Sequence, residues 1–99
     1  MDTLNWLQDW YLSQCDGEWE DSEGVKIESL DNPGWAVDIS LVDTEWESEC
    51  FEAIAVERSE HDWIHCKVEG GQFRGYGGPR NLQEILEVFR AWISKGRRG

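Results

Sequence analysis

Basic residues are scarce in this 99-residue sequence, and their scarcity excludes several classes of partner. Lys and Arg number nine against 21 Asp and Glu, so the formal net charge is -12. A chain of this charge repels the phosphates of nucleic acids and of anionic membrane surfaces, so we expect it to bind neither. A protein with a basic surface is the natural electrostatic complement.

Long hydrophobic runs and leader-like segments are missing as well. No stretch approaches the ~20 apolar residues of a membrane-spanning helix. The opening residues, MDTLNWLQDWYL, carry acids where a signal peptide has a basic start and an apolar run. We therefore expect a soluble cytoplasmic protein with a single domain over residues 1–99.

Cysteine is present only as a scattered, odd-numbered set, and no metal or phosphate motif accompanies it. Cys15, Cys50 and Cys66 show no CxxC spacing, which predicts reduced, mostly buried thiols. His61 and His65 fall in an apparent strand, where residues four apart are separated by about 13 Å, so they do not suggest a zinc pair. The glycine-rich run GGQFRGYGGP matches neither GxxxxGK[ST] nor GxGxxG. We expect no cofactor and no metal.

Hydrophobic periodicity predicts one helix at each end of the chain. The first helix covers residues 3–14 and is capped by Asp2 or Thr3. Its predicted apolar stripe consists of Leu4, Leu7 and Tyr11. The last helix runs from about Leu82 to Lys95, with Asn81 and Glu84 forming a capping-box-like start.

Between the helices, alternation and turn residues predict four to five strands. They cover VKIESL (25–30), the residues from Trp35 to Leu41, ECFEAIAVE (49–57), DWIHCKVE (62–69) and QFRGY (72–76). The run LDNPGW predicts a type II turn with Pro33 and Gly34 at its centre, and Gly70-Gly71 predicts a hairpin. The expected fold is α+β, an antiparallel sheet with one face covered by the terminal helices.

The most unusual feature is the acidic segment, residues 15–24, which reads CDGEWEDSEG. Half of its ten residues are carboxylates: Asp16, Glu18, Glu20, Asp21 and Glu23. A calcium loop numbered from Asp16 fits at its first acidic positions but lacks the glycine at position 6 and the glutamate at position 12. Adjacent acids in one loop also do not show the two opposed carboxyls of a glycosidase. The pattern therefore favours a binding surface over an enzyme.

The seven tryptophans divide by their neighbours. Four of them lie on or beside apolar stripes and are predicted to be core: Trp6, Trp10, Trp35 and Trp92. Three others, Trp19, Trp46 and Trp63, lie among acids or on a polar strand face. Tryptophan beside charge is typical of interface hot spots, so these three are candidate partner contacts.

Three runs resemble a known family. WLQDWYLSQCDGEWE, GVKIESLDNPGW and GGPRNLQEILEVFRAWI are similar to the Imm53 family, immunity protein 53 of bacterial polymorphic toxin systems. The similarity extends from Leu4 to about Ile93. It implies a small α+β protein of the bacterial cytoplasm that neutralises a toxin domain delivered between competing cells.

Many toxin domains of such systems are nucleases, whose nucleic-acid grooves must be basic. The resemblance and the charge together suggest that the acidic segment binds a basic cognate toxin domain, with Trp19 as an anchor. The predicted contacts are Asp16, Glu18, Trp19, Glu20, Asp21, Glu23, Trp46 and Trp63. An acidic adaptor with a non-toxin partner and a small metal-binding domain remain alternatives, and the sequence leaves the oligomeric state open.

Overall fold

A computed structural model describes residues 2–96 and shows the predicted α+β fold, a five-stranded antiparallel sheet with a helix at each end of the chain. A short additional helix follows the first one. The elements are α1 (Thr3–Gln14), α2 (Trp19–Ser22), β1 (Val25–Leu30), β2 (Gly34–Ser40), β3 (Ile54–Ser59), β4 (Asp62–Glu69), β5 (Gln72–Gly77) and α3 (Leu82–Gly96).

The sheet has the order β1-β2-β5-β4-β3, so β1 and β3 are its edges. Four residues pair directly with one another across neighbouring strands: Val37, Gly75, Cys66 and Ile54. They lie on the sheet face that is turned toward the helices. Three hairpins connect neighbouring strands, whereas the connection from β2 to β3 crosses to the opposite edge. The strand register therefore fixes which residues face the core and which face solvent.

The core lies between α3 and the sheet, with α1 packed against α3. Phe89 of α3 is fully buried, and its ring lies 5.0 Å from those of both Trp10 and Phe73. Edge-on and tilted aromatic packing of this kind stabilises a small core beyond the area that it buries. The N-terminal helix is thereby joined to the sheet through aromatic contacts.

The apolar stripe predicted for α1 is partly wrong. Asp2 is the N-cap, as one of the two predicted candidates, and its carboxylate accepts from the N–H groups of Leu4 and Asn5. Leu7 is buried, but Leu4 is 55% and Tyr11 is 36% exposed. Trp10 is buried against Phe89 of α3, which confirms its prediction as a core residue, because the large indole buries more apolar surface there than either of those side chains.

Two further boundaries differ from prediction. The strand expected over 49–57 begins only at Ile54, because residues 42–48 form turns that place Trp46 against the ring of Trp10, 6.0 Å away, and residues 49–53 are irregular. The type II turn is also wrong, since the Asn32–Pro33 peptide bond is cis and Gly34 belongs to β2 without a positive φ. The Gly70-Gly71 hairpin is confirmed, with φ of 61° and 76°.

The start of α3 is held by a network rather than by a capping box. The Asn81 amide donates to the carboxylates of Asp62 and Glu84, and its oxygen accepts from the Trp63 N–H. Arg58 also donates to both carboxylates, and this hydrogen bonding holds the pKa of Asp62 below its usual range. The network connects the β3–β4 hairpin to the helix. Within residues 2–96, none of the helices has the length and apolar character needed to cross a membrane.

Candidate partner-binding site

The acidic segment folds back on itself through its own carboxylates and contains the short helix α2. Asp16 Oδ1 accepts from the N–H groups of Glu18 and Trp19, at 3.0 and 2.9 Å. The Glu20 carboxylate accepts from the N–H groups of Asp16 and Gly17, at 2.9 and 2.8 Å. These reciprocal bonds satisfy the free N–H groups at the start of the turn, so the segment is ordered rather than an open loop.

The same hydrogen bonds stabilise the ionised form of two carboxyls. N–H donors of Trp19 and Glu18 lower the pKa of Asp16. The pKa of Glu20 is lowered by its own backbone N–H first, and then by those of Asp16 and Gly17. Because a lowered folded-state pKa favours folding while the group is ionised, both groups stabilise the protein above their unfolded pKa values and lose that effect as the pH falls.

Replacing Glu20 by glutamine should lower the melting temperature at neutral pH, because Glu20 accepts one N–H through each carboxylate oxygen, whereas the glutamine amide has only one acceptor oxygen. The difference from the wild type should begin to shrink as the pH falls below 4.5, the ordinary pKa of the group, because the unfolded wild-type chain binds a proton there and the folded carboxyl, whose pKa is lowered, binds one only at a lower pH. Thermal denaturation between pH 7 and pH 3 measures this. Glu18→Gln is the matched control and should melt as the wild type does; a Glu20→Gln deficit of unchanged size at pH 3 would contradict the assignment.

Trp19 and Trp46 do not lie on the surface, so the prediction that their acidic neighbours mark them as exposed candidate contacts, with Trp19 as an anchor, is wrong about their exposure. Each is 3% exposed and belongs to the core. The Trp19 ring packs against those of Trp10 and Tyr11, at 5.9 and 5.8 Å. Acidic neighbours misled the prediction, because on a short helix the residues flanking a buried side chain point to solvent. The sequence signal that was missed is Asp16. It lies three residues before Trp19, and its carboxylate can cap a helical turn that directs the Trp19 indole inward.

The remaining carboxylates of the segment differ in their freedom. Glu23 Oε1 accepts from the buried hydroxyl of Ser40 at 2.7 Å, which joins the segment to the end of β2. Glu18 and Asp21 are exposed, and their carboxylates form no hydrogen bond with any other residue in the part of the chain that the structure describes. The structure thus brings all five acids together but leaves two of them unengaged.

Trp63 lies on a different surface from the acidic segment. It is half-buried on the sheet face opposite the helices, with its ring 5.2 Å from that of His65, which is paired with Glu57 at 2.8 Å. Strand spacing and rise place it roughly 25 Å from Gly24, across three strands and along β4. The prediction that Trp63 lies outside the core on the polar face of its strand is confirmed, and a partner contact at Trp63 stays a prediction.

The carboxylates and thiols do not assemble a metal site in the described part of the chain. Residues 2–96 hold no group of three or more His, Cys, Asp and Glu side chains placed to bind a metal ion. Asp16 and Glu20 direct their oxygens to backbone N–H groups instead. All three cysteines are free, and burial raises the pKa of Cys66 to about 12. The prediction of mostly buried thiols holds for Cys66, while Cys15 is half-buried and Cys50 is exposed.

Comparison with known proteins identifies one family. The model of the family described as immunity protein 53 matches residues 4–94, which include nearly all of both long helices, all five strands and every candidate contact residue. No curated protein and no solved structure matches this chain. The family assignment therefore rests on the sequence match over residues 4–94.

Proposed function

The chain belongs to the immunity protein 53 family, and on that premise we propose that it binds a cognate bacterial toxin domain and neutralises it, without being an enzyme. The match over residues 4–94 is the observation that carries this proposal. In this proposal the protein acts in the cytoplasm of the cell that produces the toxin. The fold supports such a role through a small domain whose acidic segment is ordered by its own hydrogen bonds.

The electrostatics support a toxin domain with a basic surface, a property expected of a nuclease. Glu18 and Asp21 are exposed and unengaged, so their fields extend into solvent and can attract a basic partner. The bonds formed by Asp16, Glu20 and Glu23 hold the segment in one conformation before binding. Preorganisation of this kind reduces the entropy lost on association. Inhibition then follows from covering the toxin's basic groove, or from occupying its phosphate positions with carboxylates.

Affinity capture tests the function directly. The tagged protein is incubated with lysate of its source strain at low and at moderate salt, and the retained proteins are identified by mass spectrometry. We expect recovery of a toxin domain whose growth inhibition disappears when the two proteins are expressed together. Recovery of a housekeeping protein would favour an acidic adaptor instead. A recovered toxin domain that stays toxic on co-expression would contradict neutralisation.

The double substitution Glu18→Gln with Asp21→Asn should slow association with the toxin domain about tenfold at low salt, because these carboxylates provide steering without holding the fold. The salt dependence of the association rate should become shallower, since two charges no longer take part. Stopped-flow fluorescence over a series of salt concentrations measures both quantities.

A matched control removes the same charge elsewhere. Glu52 and Glu60 are exposed and lie outside the acidic segment, so Glu52→Gln with Glu60→Gln changes the net charge equally. We expect this control to alter the association rate much less than the first pair does. Equal effects of the two pairs would mean that overall charge, and not the acidic segment, guides the partner.

A further inference from the structure

The outer edge of β1 is free to pair with another strand. The Ser40 N–H donates to the Gly24 carbonyl at 3.0 Å, and the hydrogen-bonded pairs of an antiparallel ladder alternate along the strand. The N–H and C=O groups of Val25, Ile27 and Ser29 therefore point away from β2. No strand among residues 2–96 pairs with this edge.

An apolar groove lies beside this edge. It has a volume of about 310 Å³ and is formed by α1, the acidic segment and the start of β1. Its lining includes Leu7, Tyr11 and Val25. Ile27 follows Val25 on the same side of β1 and is 38% exposed, so it extends the apolar surface along the edge of the strand. The groove thus places apolar side chains next to the unpaired backbone N–H and C=O groups of β1.

Carboxylates surround the groove on the side of the acidic segment. Glu20 and Glu23 contribute to its lining, and the unengaged Glu18 and Asp21 belong to the same short helical region. The nearest cation on β1, Lys26, projects from the other side of the strand, where it lies 3.8 Å from Glu28. The local charge therefore complements a basic partner, and it opposes pairing of two copies of this chain through the same edge.

We propose that an extended, basic segment of the toxin domain adds to β1 as a sixth strand. This inference rests on the proposed function and specifies how the partner is held. Backbone pairing with Val25, Ile27 and Ser29 gives the segment its direction and register. One of its apolar side chains enters the groove over Leu7 and Val25, while its Lys or Arg side chains reach the carboxylates of the acidic segment.

A pair of substitutions at one position separates the backbone from the side chain. Ile27→Pro removes an N–H that points away from β2, and proline is tolerated at such edge positions. Ile27→Ala removes the same side chain but keeps the N–H. Titration calorimetry with the toxin domain recovered and neutralised above is expected to show the proline variant binding about tenfold more weakly than the alanine variant.

Hydrogen exchange gives a second measurement that does not depend on a variant folding. In the free protein, the amides of Ile27 and Ser29 should exchange faster than those of Lys26 and Glu28, which face β2. Adding the toxin domain should slow exchange at Val25, Ile27 and Ser29 at least tenfold, as followed by NMR spectroscopy of the labelled 99-residue chain.

The outcomes distinguish this inference from the function on which it rests. If the wild type neutralises the toxin domain while the β1 amides stay unprotected and both Ile27 variants bind equally, the strand pairing is overturned and the immunity function stands. Protection of the same amides in the free protein at high concentration would assign the edge to a second copy and would also overturn it. Failure of the wild type to bind any toxin domain would overturn both.

Discussion

Replacing Trp19 by alanine is expected to lower the free energy of unfolding by about 3–5 kcal/mol, a large part of the stability of a domain this size. The indole is 3% exposed and packs against Trp10 and Tyr11, so its removal leaves a cavity between α1 and α2. Chemical denaturation followed by circular dichroism measures the change. Because Trp19 holds α2 against the core, the acidic segment should lose its fixed conformation at the same time.

Trp63→Ala is the matched control, since it deletes the same side chain from a half-buried site on the open sheet face. It should cost about 1–2 kcal/mol, in proportion to the smaller area removed from water. The test is whether Trp19→Ala lowers the free energy of unfolding more than Trp63→Ala does. If Trp63→Ala destabilised the protein as much as Trp19→Ala, the indole of Trp19 would not be the core residue that the structure shows.

The elements that the sequence predicts correctly are those with strong local periodicity. The apolar positions of α3, including Ile85 and Phe89, recur every three to four residues and are buried as expected. The alternation from Trp35 to Leu41 predicts β2, and Gly70-Gly71 predicts the hairpin between β4 and β5. In these segments the local pattern and the tertiary contacts favour the same conformation.

Prediction fails where a distant contact decides the conformation. Trp46 is buried because the connection between β2 and β3 passes over α1, where Trp46 packs against Trp10. For the same reason β3 begins only at Ile54. The contact between Trp46 and Trp10 leaves no periodic signal in the sequence around residues 41–53. The polar neighbours of Trp19 likewise indicate a surface residue, although only one side of a short helix needs to be apolar for its indole to reach the core.

The candidate site, too, is only partly predictable from local sequence. Charge density identifies the acidic segment from the sequence alone, but the separate roles of its carboxylates depend on geometry. Asp16 and Glu20 accept backbone N–H groups, whereas Glu18 and Asp21 remain unengaged. The groove beside β1 is harder still to predict, because it requires α1 and β1 to meet across the core.

Replacing Gly34 by alanine should lower the free energy of unfolding by about 3 kcal/mol. A Cβ at this position would overlap the backbone carbonyl oxygen of Gly77 and come within 3.2 Å of the Asn32 Oδ1. The carbonyl belongs to β5, which pairs with β2 at Trp35, so relieving the clash requires β2 and β5 to separate locally. Thermal and chemical denaturation measure the loss.

Gly70→Asn tests whether the effect at Gly34 arises from close approach of the backbone. Gly70 has a φ of 61°, which asparagine tolerates better than most residues, and no atom lies within 4 Å of a Cβ placed there. This substitution should therefore cost less than about 1 kcal/mol. If the two variants were equally stable, the β2–β5 contact at Gly34 would be looser than the structure describes. If Gly34→Ala lowers the free energy of unfolding and Gly70→Asn does not, close strand packing explains the glycine of the DNPGW run, and the turn that its sequence suggests does not.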